Sequence, residues 1–224
     1  MTTRTPLRRD LADLKQKVYL LGEKCIEISD LYNSLLENHS ASLEGRLSAI
    51  TDEVKKESKD LNDQCFLVLT LQQPLIKDLR FVIGSLQIVL HLEKITEQYL
   101  STLPLISEVN ILENTIKEHL INMAKKVEDL LKAILTLYLS SNLNSNNEIS
   151  GCFSEISYLH DLLYKQILKG VAQESGQKAQ IEAQVLTTVR TLEKIGDLGL
   201  SIAEQVKYII IGKGEKGEKG EKSQ

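Results

Sequence analysis

The feature that most constrains the fold is a helical segment that recurs at a fixed distance along the chain. Residues 89–95 read Val-Leu-His-Leu-Glu-Lys-Ile, and residues 189–195 read Val-Arg-Thr-Leu-Glu-Lys-Ile, which is an offset of 100. Leu100-Ser101 recurs as Leu200-Ser201 at the same offset. Identity at a fixed offset is the mark of internal duplication. The chain is therefore predicted to contain one structural unit twice.

Each unit is predicted to be helical because apolar residues recur in alternating steps of four and three. The first such seam is Leu7, Leu11, Leu14, Val18, Leu21, Cys25, Ile28, Tyr32 and Leu35. This spacing is typical of a bundle helix and does not fit the alternation of a strand. Similar seams predict a second helix ending before Pro74, a third reaching about Pro104, a fourth starting near Ser107-Glu108, a fifth over about 149–168 and a sixth over about 179–211.

These helices predict an all-α fold made of two tandem three-helix bundles, with six helices in total. The first bundle is expected at residues 1–104 and the second at 105–211. The first and fourth helices match at an offset near 102, and the second and fifth at an offset near 95, with a longer connection around 170–176 expected to absorb the difference. The Gly-Glu-Lys tail, 212–224, has almost no apolar content and is expected to be disordered, since it cannot offset the entropy of ordering.

Composition excludes several classes of function. A net charge of −4 and an aromatic content of 4% argue against a nucleic-acid interface. Such an interface needs clustered Lys and Arg side chains and aromatic side chains that stack on the nucleobases. No stretch is apolar over the ~18 residues that a membrane span requires, so any membrane association is expected to be peripheral. Three widely spaced cysteines in apolar patterns indicate reduced thiols in a cytoplasmic protein.

The candidate functional residues are two duplicated pairs of carboxylates. Glu93 and Glu97 are four residues apart, as are Glu193 and Asp197, so each pair lies on one face of its helix. Two interpretations stay open. The pairs can coordinate a hard cation, which would convert their repulsion into binding, or they can form a solvated acidic face balanced by neighbouring lysines.

Several segments resemble the hallmark segments of the PhoU family. They are Leu71-Gln72-Gln73-Pro74, then Lys77-Asp78-Leu79-Arg80, and the two Leu-Glu-Lys-Ile segments, the second of which continues into Gly196-Asp197. The resemblance covers residues 7–211 and implies a tandem repeat of three-helix bundles. It also implies a cytoplasmic accessory protein of phosphate homeostasis, without catalytic activity, that represses phosphate-starvation signalling. The implied partners are a phosphate ABC transporter ATPase and a sensor histidine kinase, and a homodimer is expected.

The same resemblance implies a possible iron or zinc cluster, which some family members carry on the bundle surface. The implied ligands are Glu93, Glu97, Glu193, Asp197 and Asp52. Lys55 stands where the first repeat would have a further acid, and its ammonium would compete with a cation or neutralise Glu93 or Glu97. In the second repeat, Asn147 and Ser150 are taken as the replacements for family acids. Oxygens of Asn and Ser can bind a hard ion but cannot neutralise its charge.

Asp78 and Arg80 are candidate partner contacts, with a local surface network among Lys77, Asp78 and Arg80 as the alternative. No nucleophile arrangement, no Gly-rich phosphate loop and no Glu-x-x-His pair occurs as a motif. The sequence therefore predicts a regulator that acts through protein surfaces. Its competitors are a metal-cluster protein and a helical adaptor unrelated to phosphate.

Overall fold

The computed structural model describes residues 5–109, 112–143, 146–173 and 176–212. Six long helices and one short helix account for nearly all of them, and these described ranges contain no strand. The helices are α1 (Thr5–Glu37), α2 (Ala41–Gln72), α3 (Ile76–Thr102), α4 (Ile106–Val109), α5 (Asn114–Ser140), α6 (Asn146–Gln173) and α7 (Gln177–Ile211), and a 3₁₀ turn, Leu103–Leu105, precedes α4. The predicted all-α fold with six main helices is confirmed.

The helices form two three-helix bundles that share one core. α1, α2 and α3 pack on one another, as do α5, α6 and α7. The halves join through α3 against α7 and α1 against α5, so α2 and α6 lie on the outside. The seam of α1 is buried from Leu14 to Leu35, and the residues 102 positions later in α5, from Ile116 to Leu137, are buried in the same register. The predicted offset for this helix pair is confirmed.

The two halves run in opposite directions across their interface. In α3, Gly84 approaches Ile209 of α7, and Arg80 packs against Gly212, which ends α7 with a positive φ of 79°. The start of α3 therefore lies beside the end of α7. α1 and α5 are antiparallel in the same way, since Lys15 donates to the Leu139 carbonyl while Asn33 reaches Glu128. The α2–α3 turn and the α6–α7 turn consequently lie at opposite ends of the molecule.

The offset predicted for the second and fifth helices is wrong by one heptad. The connection before α7 is no longer than the one before α3. Three residues separate the end of α2 at Gln72 from α3, and three separate the end of α6 at Gln173 from α7. At an offset of 102 the buried positions of the two helices coincide, Leu47, Val54, Leu61 and Cys65 with Ile149, Ile156, Leu163 and Ile167. Offsets of 95 and 102 both preserve a heptad seam, so periodicity alone could not separate them.

The predicted start of the fourth helix also needs correction. Ser107 and Glu108 fall in the short α4, and the long helix begins at Asn114. Ile106, Val109 and Leu112 are buried, so the connection itself covers the end of the core. The predicted disordered tail, 212–224, lies outside the described residues apart from Gly212. Along the described chain, no helix combines the length and the apolar character needed to cross a membrane.

Candidate functional site

α3 and α7 place the duplicated carboxylates at equivalent positions. Glu93 and Glu193 are half-buried, whereas Glu97 and Asp197 are exposed. The residues around each pair repeat this burial pattern, because Leu92 and Ile95, like Leu192 and Ile195, turn their side chains into the core. Each pair therefore lies at the edge between core and solvent, on the side of its helix that meets the outer helix.

In the first half, Glu93 lies in an environment that disfavours its charge. Burial raises the pKa of Glu93, and the neighbouring carboxylate of Glu97 raises it further. The ammonium of Lys55, on α2, opposes this and lowers the same pKa. Lys55 thus acts as a counter-charge to Glu93 across the α2–α3 contact, which is one of the two roles expected for it.

In the second half, the equivalent carboxylate has a histidine as its neighbour. Nε2 of His160, on α6, lies 3.1 Å from Oε2 of Glu193, and Nδ1 of the same ring lies 3.3 Å from Oδ1 of Asp161. The His160 ring stacks on the Tyr164 ring with centroids 5.9 Å apart. The guanidinium of Arg190 lies over the Tyr164 ring, with its Cζ 5.6 Å from the ring centroid. The imidazole is therefore held between two carboxylates, a contact that the sequence did not predict.

Each outer helix forms an ion pair with the first helix of its bundle, and the pair occurs at equivalent positions in the two halves. Lys24 of α1 lies 2.7 Å from Glu53 of α2, and Lys126 of α5 lies 2.7 Å from Glu155 of α6. Both residues of the second pair are 102 positions after those of the first. Lys24 also contacts Glu57 at 2.8 Å, and both carboxylates raise the pKa of the lysine. These acids of the outer helices thus have protein cations as partners.

This ion pair shows that Asn147 and Ser150 are not the residues equivalent to Asp52 and Lys55. At the offset of 102 those equivalents are Ser154 and Ser157. The interpretation of Asn147 and Ser150 as replaced acids followed from the incorrect offset. Asp52 itself is exposed on α2.

The donor set does not fit a metal cluster. Among the residues that the structure describes, no three His, Cys, Asp or Glu side chains come together in an arrangement that could hold a metal ion. Glu93 is opposed by a lysine, and the carboxylate of Glu193 is engaged by His160. Hard cations need several oxygen ligands, and zinc needs four N, S or O ligands. In the described part of the chain, the carboxylate pairs and the one histidine beside them do not form such a ligand set.

Asp78 and Arg80 occupy the first turns of α3, close to the α2–α3 turn. Both are half-buried. The Asp78 carboxylate is in the first turn, where the helix dipole favours negative charge. The guanidinium of Arg80 packs so closely on Gly212 that no Cβ fits there, and its Nε is buried without a hydrogen-bond partner. Arg80 therefore contributes to the contact between α3 and the end of α7.

A groove of about 870 Å³ lies among α1 and α2 of the first half and α5 of the second. Its lining includes six carboxylates and three ammonium groups, namely Glu23, Glu27, Asp30, Glu57, Asp60, Glu128, Lys17, Lys24 and Lys132. Leu20, nearly half exposed, contributes apolar surface. The excess of negative charge makes this groove an acidic surface that the sequence did not single out, because its residues come from three separate helices.

The cysteines offer no activated nucleophile. All three are free thiols, and burial raises the pKa of each, to about 11 for Cys65. A reactive cysteine needs a lowered pKa and an exposed sulfur. These thiols act as apolar packing groups.

The fold and the site together define a class of protein, a tandem duplication of three-helix bundles that carries paired carboxylates at equivalent surface positions. The family within this class follows from comparison with known sequences. The family model described as the PhoU domain matches residues 18–99 and 120–206, one match in each half. The chain belongs to the PhoU family, and the resemblance seen in its sequence is confirmed.

Similar proteins span most of the chain. A "phosphate-specific transport system accessory protein PhoU homolog" of Clostridium acetobutylicum is 23% identical over 215 residues, which is 94% of this chain and 97% of the relative. A Synechocystis protein of the same name is 26% identical and covers 80% of this chain and 82% of its own length.

Solved structures show the same fold. The phosphate transport system regulatory protein PhoU from Streptococcus pneumoniae superposes with a TM-score of 0.80 at 20% identity, covering 92% of this chain and 98% of its own. PhoU from Pseudomonas aeruginosa gives a TM-score of 0.84 at 17% identity, with coverages of 92% and 99%.

Proposed function

We propose that this protein is an accessory regulator of a phosphate-specific transport system. The observation that carries the proposal is the match of both halves to the PhoU domain, together with curated relatives that bear this accessory function in their names. The protein is proposed to work in the cytoplasm, as a homodimer, by contact with a phosphate ABC transporter ATPase and a sensor histidine kinase. Through these contacts it represses phosphate-starvation signalling.

The surface supports action by contact rather than by catalysis. The acidic groove and the exposed carboxylates Glu97 and Asp197 present negative charge from both halves. The thiols are not activated, and no nucleophile with an adjacent base was found as a motif in the sequence. Complementary charge on a partner steers association and sets specificity. The expected partners are therefore basic surfaces of the transporter ATPase and the kinase.

The test is removal of the gene in the organism that encodes this chain. We expect phosphate-starvation genes, read as secreted phosphatase activity, to be expressed at high phosphate in the deletion strain and to be repressed again by the complementing gene. Unchanged repression in the deletion strain would remove the proposal. Purified tagged protein should also retain the transporter ATPase and the kinase in pull-down. Retention of neither protein would favour a helical adaptor unrelated to phosphate.

The predicted partner contacts can be tested with a single charge reversal. Asp78→Lys should weaken repression in the complemented strain, while its thermal unfolding stays close to that of the wild type. The matched control is Glu118→Lys, an exposed acid at the start of α5, at the opposite end of the molecule. Equal repression by the two variants would exclude Asp78 from the contact. Arg80 is a poorer choice, since its substitution also disturbs the end of α7.

We further propose that the protein acts without an iron or zinc cluster. Support comes from the pairing of the acids: Lys55 opposes Glu93, and His160 engages Glu193. Elemental analysis after purification without chelator should give less than one metal ion per chain. Stoichiometric iron or zinc, lost in the Glu193→Gln/Asp197→Asn variant, would instead establish the carboxylate pairs as ligands.

A further inference from the structure

The exposed apolar side chains of this protein are concentrated at one end. Six of the twelve large apolar residues that are exposed in the described part of the chain lie between positions 66 and 79. We call these six the apolar tip: Phe66, Leu67, Leu71, Leu75, Ile76 and Leu79. Leu71 is 74% exposed and Ile76 75%, so both project almost completely into solvent on either side of the α2–α3 turn. A concentration of exposed large apolar side chains around one turn is typical of an interaction site.

The second half provides an internal comparison. At the equivalent end of α6, Leu168 is exposed, and the first residues described beyond the turn are Gly176 and Gln177. Both halves therefore contain the helical hairpin, whereas among the residues that the structure describes the exposed apolar cluster is found in the first half. Because the two turns lie at opposite ends of the molecule, the exposed apolar cluster seen in the described residues lies at one end. Folding alone does not require such a tip.

Acidic residues are sparse in the sequence around the apolar tip. From Gln64 to Leu92 the sequence carries one acid, Asp78, and two bases, Lys77 and Arg80, although the chain as a whole has more acids than bases. Further bases lie close by. Asp10 of α1 accepts a hydrogen bond of 3.1 Å from Gln72, which brings the start of α1, with the exposed Arg8 and Arg9, to this end. Beside the turn the bases Arg8, Arg9, Lys77 and Arg80 thus outnumber the acids Asp10 and Asp78, and a further acid, Asp63, is exposed on α2 just before Phe66.

We propose that the apolar tip inserts into the surface of an anionic phospholipid bilayer, with Arg8, Arg9 and Lys77 on the headgroups. Leu, Ile and Phe side chains enter the boundary between headgroups and acyl chains, and each nearby Lys or Arg adds attraction to anionic lipid. The same charges disfavour a second copy as occupant, because a two-fold contact between tips would bring identical basic side chains together. The proposal goes beyond the regulatory function and needs neither transporter nor kinase.

The experiment is sedimentation of the full chain with vesicles. Wild-type protein should bind vesicles of phosphatidylcholine with phosphatidylglycerol, bind pure phosphatidylcholine vesicles weakly, and lose affinity as salt is raised. The Leu71→Ser/Ile76→Ser variant should bind the anionic vesicles about tenfold more weakly or worse. The matched control, Tyr158→Ser/Leu168→Ser, removes two exposed apolar side chains of α6 and should bind as the wild type does.

Three results would overturn the proposal. The first is absence of wild-type binding to anionic vesicles. The second is equal binding by the tip variant and the α6 control. The third is a change in molar mass by light scattering when only the tip is altered, which would make a second copy the occupant. Thermal unfolding of both variants verifies that they fold, and the substitutions lie on exposed positions that the core does not use.

Discussion

Glu93 and Glu193 show how duplicated positions diverge at the level of single residues. Both are half-buried glutamates at the edge of the core. Glu93 has a lysine on the outer helix and a second glutamate one turn away, whereas Glu193 contacts a histidine on the outer helix. The same residue type at the same place therefore has different electrostatic surroundings in the two halves.

Replacing Glu93 with Gln should stabilise the protein at neutral pH. Burial and Glu97 raise the pKa of Glu93, so the ionised form is penalised in the folded state. That penalty is complete above the raised pKa and is absent below the ordinary value of about 4.3. We expect the free energy of unfolding to rise by about 0.5 kcal/mol at pH 7, judged from the cost of like-charge pairs on a helix. Urea denaturation at pH 7 and at about pH 4 measures it, with the gain vanishing at the lower pH.

The control for this prediction is Glu193→Gln in the second half. Its carboxylate lies 3.1 Å from His160, so the substitution removes a favourable contact. We expect no gain in stability for this variant at pH 7. Equal gains in the two variants would show that the neighbours on the outer helices do not decide the effect.

A second residue-level prediction concerns the buried carboxylate between the halves. Asn33 of α1 donates to Glu128 of α5, both are buried, and Lys132 pairs with the same carboxylate. Asn33→Leu leaves a buried acceptor without this donor and should cost about 2 kcal/mol. The Asn33→Leu/Glu128→Leu variant removes both polar groups and should recover most of that loss. Chemical denaturation of the wild type, the Asn33→Leu variant and the double variant checks this, and a double variant no more stable than Asn33→Leu would contradict it.

The residues of the candidate site were partly predictable. Spacing placed Glu93, Glu97, Glu193 and Asp197 on helix faces. The counter-charge role of Lys55 was one of two roles that the family resemblance suggested. His160 could not be assigned to Glu193, because the contact depends on which turn of α6 faces α7. Correct matching of Lys24 and Glu53 with Lys126 and Glu155 would have supplied that register.

At the level of elements, the contact between α3 and α7 depends on Gly84. A Cβ at this position would lie 2.6 Å from Cγ1 of Ile209, closer than atoms can pack. Gly84→Leu should force the two helices apart and cost about 2 to 3 kcal/mol. Thermal and urea unfolding measure the loss.

The matched control is the same substitution at Gly45, an exposed glycine inside α2 whose missing Cβ has open space around it. Gly45→Leu should be neutral or stabilising by up to about 1 kcal/mol, since Leu is the better helix former. A similar loss at both glycines would show that close packing of α3 on α7 is not the cause.

The elements themselves were largely predictable, because long amphipathic seams define helices well. Pro74 fixed the boundary between α2 and α3. The start of α5 was misplaced since Ser107-Glu108 has the chemistry of a helix start and does form a helical turn, which ends at Val109. The offset of 95 predicted between α2 and α6 was wrong for a different reason. A seam that repeats every seven residues aligns equally well after a shift of seven.

For the whole molecule, the shared core predicts that the halves unfold together. α1 and α3 bury side chains against α5 and α7, so neither bundle has a complete core of its own. We expect one thermal transition, with the calorimetric enthalpy equal to the van't Hoff enthalpy. Two separate transitions would show that residues 1–104 and 105–211 behave as independent domains.

Because the two halves run in opposite directions, the α2–α3 turn and the α6–α7 turn are separated by the length of the long helices. α1 alone has 33 residues and is about 50 Å long at the usual helical rise. One end carries exposed leucine and isoleucine, and the described residues at the other end show no such cluster. Two partners bound at opposite ends would therefore be held apart by the length of this helix, about 50 Å.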